Sequence, residues 1–449
     1  MAAPEEINFI VEAGTRRFPG FKEAMTVPPS VMARTLKDAC RSISPAATDS
    51  IYFWALLFSP TVLTAVLCAE SLAIAKNTAN AAKNNFTVLI FTKLAKIANF
   101  ALQYHRVNMK KCVLVSGGAG FIGSHVTVEL IEAGYDVIVA DNMSNCDMTC
   151  FEGVKKITGR EDIPFIKMDF CDPVATELLF TTHRIDAVIH FAGFKAVGES
   201  VEEPLKYYRN NLDSFMNVIA SAKAHGCENI LFSSSATVYG EPKNLPVTEG
   251  TPRQPATSPY GNTKTMCEDI LRDSVKAYPE IKGIALRYFN PIGAHPSALI
   301  GELPRGIPNN LVPFITQTAI GKLEYLSVFG DDYPTPDGTC QRDFIDIVDL
   351  AKAHVFAVRR MLDGKMKKEY EIFNVGTGKP LSVMELINGF EKANGLKLNY
   401  KIAPRRPGDV TAIWADPTLA NKELGWKAER HIEDTLAAAW AWEKHLAGE

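Results

Sequence analysis

Val113-Leu114-Val115-Ser116-Gly117-Gly118-Ala119-Gly120-Phe121-Ile122-Gly123-Ser124-His125 runs from an apolar strand pattern through spaced glycines into a helical pattern. Gly117 permits a tight exit from a buried strand, and Gly120 lets the backbone come close to a pyrophosphate. Gly123 lets the helix pack on the strand, while unpaired N–H groups at the helix start face the phosphates. The stretch satisfies both G-x-x-G-x-x-G from Gly117 and G-x-G-x-x-G from Gly118. Taken alone, a glycine-rich turn without a ligand remains the plainer reading.

The surroundings give it context. From Cys112 onward short apolar runs alternate with amphipathic segments, the pattern of a doubly wound α/β fold with a parallel sheet. Strands are expected near 112–116, 136–141, 163–168, 186–191, 229–235 and 281–288, and helices near 121–133, 173–182, 203–225 and 258–278. After Pro291 the alternation breaks and a smaller mixed unit is expected over 291–449, following a Rossmann-type unit over 109–290 to which later segments may return. Its helical patterns lie near 311–321, 347–362 and 382–394, with another from Ile432 to the end. The second strand ends in Asp141, 18 residues past Gly123, where a carboxylate meets the adenosine ribose of a dinucleotide. No Arg or Lys follows in Asn142-Met143-Ser144, so NAD is favoured over NADP.

Chemistry is suggested by Ser233-Ser234-Ser235-Ala236-Thr237-Val238-Tyr239 at a strand end and by Ser258-Pro259-Tyr260-Gly261-Asn262-Thr263-Lys264 opening a helix. Tyr260 and Lys264 are four apart and share a helix face. A nearby ammonium favours phenolate, and the strand-end serine would bind the same substrate oxygen. By itself Y-x-x-x-K equally describes a surface tyrosine with a solvated lysine; the dinucleotide grip and the sheet's carboxyl edge give it weight.

Composition excludes other classes. The 449 residues are 47% hydrophobic and 22% charged with a net charge of -3, so neither nucleic acid nor an anionic membrane surface is implied. The nine cysteines show no paired metal-ligand spacing, and a reducing cytoplasm is expected, with no metal. Residues 1–108 lack the strand–helix alternation. Within them the uncharged run 51–69 is long enough to be weighed as a membrane span, but Pro60 and its Ser and Thr residues weaken it. Three readings compete for this region: an anchor, a packed or targeting extension, and a stretch absent from the working protein. Met109-Lys110-Lys111, directly before the first strand, supports the third.

These stretches resemble the extended short-chain dehydrogenase/reductases. Residues 109 to about 446 resemble, within them, the UDP-glucose 4-epimerases, through GGAGFIGSH (117–125), FAGFKAVGES (191–200), SSSATVYG (233–240), SPYGNTK (258–264), RYFNPIGAHP (287–296), GIPNNLVPFI (306–315), QRDFIDIVDLAKAH (341–354) and RRPGDV (405–410). The resemblance implies Tyr260, Ser235 and Lys264 as the catalytic set, all three at the cofactor and Tyr260 and Ser235 also at the sugar. It implies an NAD site that adds Phe121, Ile122, Asn145 and Cys146 to Asp141–Ser144. That site continues with Asp169, Phe170, the run Phe191, Ala192, Gly193, Phe194 and Lys195, then Asn210 and Phe289. Asn290, Asn310, Phe329, Arg342, Arg406 and Asp409, with Lys195, would hold UDP-galactose or UDP-glucose; the two guanidinium groups suit a diphosphate. Homodimerisation through the helices near 203–225 and 258–278 is implied as well.

Ile413 falls where the family uses a bulky tyrosine to reject N-acetylated sugars or a small residue to accept them. UDP-N-acetylhexosamine epimerisation therefore stays open, and a UDP-glucuronate epimerase or decarboxylase, which its chemistry does not exclude, stands as a further alternative. A nucleotide-sugar 4,6-dehydratase needs an Asp-Glu pair after its active-site threonine, whereas Thr237 is followed by Val238 and Tyr239. A noncatalytic NAD-binding regulator would have no need of the Tyr-Lys-Ser set.

Overall fold

The computed structural model describes residues 110–406 and 409–449; the alternatives for residues 1–108, including the span 51–69, lie outside the described residues. Among the described residues no helix is long and apolar enough to cross a membrane.

Strand β1 (Cys112–Ser116), helix α1 (Phe121–Glu132) and strand β2 (Asp136–Asp141) open the fold as the glycine pattern predicts. Then come α2 (Thr149–Thr158), β3 (Phe165–Lys167), α3 (Pro173–Thr182) and β4 (Ala187–His190). The next stretch holds α4 (Val197–Glu202), α5 (Pro204–Tyr208), a π-helical turn over Arg209–Asp213 and α6 (Ser214–Ala224). β5 (Asn229–Ser235), a 3-10 turn over Ala236–Tyr239, α7 (Pro259–Ala277) and β6 (Lys282–Tyr288) complete this half.

Beyond Pro291 come β7 (Asn290–Ile292), α8 (Leu311–Ala319), β8 (Leu326–Phe329) and β9 (Gln341–Asp346). They are followed by α9 (Ile347–Leu362), β10 (Tyr370–Val375), β11 (Pro380–Ser382) and α10 (Val383–Asn394). The last elements are β12 (Tyr400–Ala403), β13 (Ala412–Ile413), α11 (Thr418–Glu423) and α12 (Ile432–Ala447).

Seven strands form one sheet in the order β10-β6-β5-β4-β1-β2-β3, each pair parallel. The order reverses between β1 and β4, and the glycine turn sits at this switch point, where open α/β sheets bind ligands. Both faces are covered, as side-chain alternation requires. Val113 and Val115 pack with Val126 and Leu130 of α1 and Leu350 of α9. Leu114, Val188 and Ile230 pack oppositely with Phe215 of α6 and Leu271 of α7.

The sequence reading names six strands for the main sheet and allows later segments to return to it; the segment that returns is β10, Tyr370 opposite Gly283. A local apolar pattern specifies a strand without specifying which sheet it joins. The smaller sheet runs β11-β9-β13 with β7 also on β9, and β8 pairs with β12 separately. The expected single helix over 203–225 is interrupted by the π turn, which carries Asn210 and Asn211; such bulges recur at functional sites. Helices α2 and α4 were not anticipated.

Three histidines are sealed around the sheet. His125 and His354 engage backbone carbonyls of Phe121 and Leu350 through Nδ1 at 2.7 and 2.9 Å, and His190 Nδ1 meets the Ser116 hydroxyl at 3.0 Å. Their Nε2 atoms are buried and have no hydrogen-bond partner among the described residues. Burial pulls His125 and His190 down to about 3 and His354 down to about 4, so they fold neutral. The unfolded chain binds three more protons as pH falls below the ordinary histidine value, so stability present above about pH 6.5 drains away down to about pH 3. At pH 5 the loss is about 2 kcal/mol per histidine. Urea midpoints at pH 7 and pH 5 check this; equal midpoints would contradict it.

Candidate active site

The grip is built as its residues require. Gly117 has φ +75°, and a Cβ there would lie 2.8 Å from the Ala192 amide nitrogen. At Gly123 a Cβ would lie 2.4 Å from the Gly117 carbonyl oxygen, so helix and turn touch through backbone. Gly120 differs: a Cβ would meet only the Gly117 oxygen at 3.5 Å. Among the described residues nothing else comes within 4 Å of that position and no side chain caps α1, leaving its first N–H groups open to an anion.

Asp141 reaches back to the turn. Its carboxylate accepts from the Ala119 N–H at 3.1 Å and the Met143 N–H at 2.9 Å. Asn142 holds the Ser144 N–H at 2.9 Å and approaches Asp169 at 3.4 Å. Arg305 donates to the carbonyls of Ser144 and Cys146, drawing the 141–146 loop together beside Asp169. Burial and the Asp141 carboxylate push the Cys146 thiol up to about 12, so it stays protonated. Phe170 is a core residue at this edge, 2% exposed. These residues fit a dinucleotide: open helix N–H groups for the pyrophosphate, with a carboxylate one strand over for the ribose.

The 191–195 loop is pinned by a residue that sequence reasoning missed. Asn211 accepts from the Phe194 N–H at 2.8 Å, donates to the Phe194 carbonyl at 3.1 Å and donates to Thr263 at 3.0 Å. Asn210 donates to Asn211 at 3.0 Å. The Asn-Asn pair inside a helical pattern was the available signal. Lys195 reaches Glu302 at 2.9 Å, and Asn310 donates to the same carboxylate at 2.6 Å. Glu302 was therefore missed as well.

Ser235, Tyr260 and Lys264 come together. Ser258 caps α7 by accepting the Gly261 N–H at 3.2 Å, which starts the helix at the sheet's carboxyl edge. The Ser235 hydroxyl accepts from the Thr237 N–H at 3.2 Å and lies near enough to the Tyr260 phenol to favour its ionised form. The Lys264 ammonium donates to the Ser233 carbonyl at 2.7 Å and lies 5.8 Å from the Tyr260 ring centroid. Both residues are half-buried by area, but their ionising atoms lie at the enclosed end, and burial pulls the Lys264 amine down to about 8. The sequence reading expects the ammonium to favour phenolate. In the chain by itself burial pushes the phenol up, opposed by the nearby Ser235 hydroxyl.

The remaining predicted residues form a second cluster. Asp409 accepts from Arg406 at 3.1 and 2.8 Å and lies 3.5 Å from Arg342. The Arg406 guanidinium sits 5.8 Å from the Phe329 ring centroid. Phe289 and Ile413 are buried together with Ala236 and Val238, while Asn290 is exposed at the start of β7.

A glycine grip at the switch point and a Ser-Tyr-Lys set at the carboxyl edge of the same sheet define a short-chain dehydrogenase/reductase of the extended kind. The family described as GDP-mannose 4,6 dehydratase matches residues 114–439. The UDP-glucose 4-epimerase of Bacillus subtilis (strain 168) is 51% identical over 331 residues, covering 74% of this chain and 96% of that protein. Among solved structures, Bifidobacterium longum UDP-glucose 4-epimerase in complex with NAD+ and UDP superposes with TM-score 0.71 at 49% identity, covering 75% of this chain and 98% of that one. The Stenotrophomonas maltophila UDP-glucose-4-epimerase with bound NAD and formylated UDP-arabinopyranose gives TM-score 0.73 at 43% identity, covering 75% and 99%. The chain belongs to the UDP-glucose 4-epimerase family and is an isomerase.

Proposed function

We propose that this enzyme interconverts UDP-galactose and UDP-glucose by inverting the sugar at C4 through a 4-keto intermediate. The observation that carries the reading is the Tyr260 phenol set with Ser235 and Lys264 at the carboxyl edge of the sheet whose switch point carries the glycine turn. Tyr260, whose phenolate the Lys264 ammonium and the positive nicotinamide ring of bound NAD would favour against burial, takes the proton from the sugar 4-hydroxyl, and Ser235 orients that hydroxyl. Lys264 holds the nicotinamide ribose and adds positive charge near the phenol. The 117–123 turn, the 141–146 loop and the 191–195 loop would hold NAD, which would supply a hydride acceptor and donor for the sugar's C4. Arg342, Arg406 and Asp409 anchor the UDP while the keto sugar turns. The turn Ala236-Thr237-Val238-Tyr239 bears no carboxylate, so the proton carriers for dehydration are missing. Incubation of the purified protein with UDP-galactose tests this: UDP-glucose should form to equilibrium without added reductant, and NAD-loaded protein that forms none would favour a regulator.

Ile413 sets the breadth of the sugar site in this reading. It lies in β13 opposite Arg342 and is 8% exposed. Ile413→Tyr is expected to lower kcat/KM for UDP-N-acetylgalactosamine relative to UDP-galactose by about tenfold or more. Competition assays with both sugars check it; an unchanged ratio removes Ile413 from that role.

Dimerisation is supported by apolar side chains left at the surface of the helices named for it. Leu205 is 73% exposed, Met216 44% and Met266 38%. Sedimentation of the native enzyme should give twice the chain mass, and Leu205→Glu should give a single chain. The seven cysteines among the described residues are free thiols, which supports residence in the reducing cytoplasm.

A further inference from the structure

The catalytic helix carries a third inward polar residue. Tyr260, Lys264 and Glu268 succeed one another every four residues on one face of α7. Glu268 touches no part of the proposed sugar or dinucleotide site. It is 2% exposed and accepts three hydrogen bonds, from Ser234 Oγ at 2.6 Å and from Arg287 Nε and Nη2 at 2.8 and 2.6 Å. Arg287 continues the chain to the Tyr239 hydroxyl at 3.0 Å, and Tyr239 donates to Asn374 of β10 at 2.6 Å. Arg253 approaches Glu268 from outside at 3.7 Å.

These contacts tie α7 to two strands and a turn at fixed height. Ser234 precedes Ser235 in β5, and successive strand residues leave on opposite faces, so holding Ser234 holds Ser235. Gly283 of β6 lets the helix seat closely, since a Cβ there would lie 2.9 Å from Leu271 Cγ. Apolar packing between helix and sheet resists separation but not sliding along the helix axis. A bidentate buried guanidinium–carboxylate pair does resist sliding.

We propose that Glu268 is a positioning residue that, through Ser234 and Arg287, sets the height of α7 on the sheet and so the registry of Tyr260 and Lys264 against Ser235. The inference rests on the proton-transfer role given to Tyr260. The structure supplies its own control: Glu371 of β10 makes another buried bidentate pair with Arg360 of α9, at 2.6 and 3.0 Å, and among the described residues neither partner hydrogen-bonds α7.

The test compares Glu268→Gln, Glu371→Gln and Tyr260→Phe as NAD-loaded enzymes. The ionisable neighbours of Tyr260 are Lys264 on its own helix, Tyr288 of β6 and Tyr207 of α5. None is altered, and the guanidinium of Arg287 left unbalanced would by itself pull the phenol down, so an upward shift reports lost registry around Tyr260. Glu268→Gln should lower kcat at neutral pH by about tenfold or more and leave KM for UDP-galactose within about twofold. The acidic limb of kcat should move up by about one pH unit, with activity recovering near about pH 9. Glu371→Gln should lower the thermal midpoint with the limb in place. If Glu268→Gln does not fold, Glu268→Met with Arg287→Met removes both charges and leaves neither uncompensated; it should fold and show the same loss of kcat. Wild-type kcat and limb in either variant, or an equal shift in Glu371→Gln, overturns the positioning role. Substantial activity in Tyr260→Phe instead overturns the proton-transfer reading, a separate outcome.

Discussion

Tyr260→Phe is expected to retain less than about 1% of wild-type kcat with UDP-galactose, the range set by removing a positioned general base. The substitution removes one oxygen and keeps the ring, so α7 and its cap at Ser258 persist. KM should move by less than about twofold, because the UDP half is assigned to Arg342, Arg406 and Asp409, a separate cluster. Ser235 cannot replace the lost phenol, a serine hydroxyl being a far weaker acid than a phenol. Measuring UDP-glucose formation in a coupled assay decides the matter. Turnover above a few per cent would mean that another group takes the proton.

The glycine turn yields a paired expectation of similar size. Gly123→Val forces a side chain where even a Cβ lies 2.4 Å from the Gly117 oxygen and 2.6 Å from Gly118 Cα. Neither backbone atom can rotate away, so α1 must lift from the turn at a cost of about 1–3 kcal/mol or more. The same displacement opens the phosphate cradle, and the purified variant should carry no NAD. Gly120→Ala separates the two effects. Its Cβ finds room within the protein at 3.5 Å from its nearest neighbour, so the thermal midpoint of NAD-free protein should match wild type while NAD retention falls by about tenfold or more. Bound NAD measured after gel filtration, alongside thermal midpoints of stripped protein, checks both. A Gly120→Ala variant that keeps full NAD would remove the cradle from the binding account.

Much of this site was legible from local pattern. β1, β2 and β5 lie on the residues where apolar runs place them, and α3 and α9 occupy 173–182 and 347–362 as expected. The i,i+4 spacing of Tyr260 and Lys264 likewise placed them on one helix face. Period and spacing are properties of neighbouring residues, so they can be read without the fold.

Other residues escaped because their partners lie far along the chain. Glu302 meets Lys195 across 107 positions and Tyr239 meets Asn374 across 135. No periodicity announces such pairs. The same holds for β10, whose pattern says strand while its place beside β6 depends on α9 crossing the sheet.

The amino-acid order alone determined a parallel α/β core, a dinucleotide grip opening at Val113 and a Tyr–Lys pair on one helix face, because each is written in spacings shorter than one helix or strand. Tertiary structure alone decided that Asn211 pins the 191–195 loop and that burial raises the Tyr260 phenol. It also decided that a buried guanidinium–carboxylate pair ties the catalytic helix to the sheet. Each of these depends on which distant polar groups lose water together, and that is settled only when the elements pack.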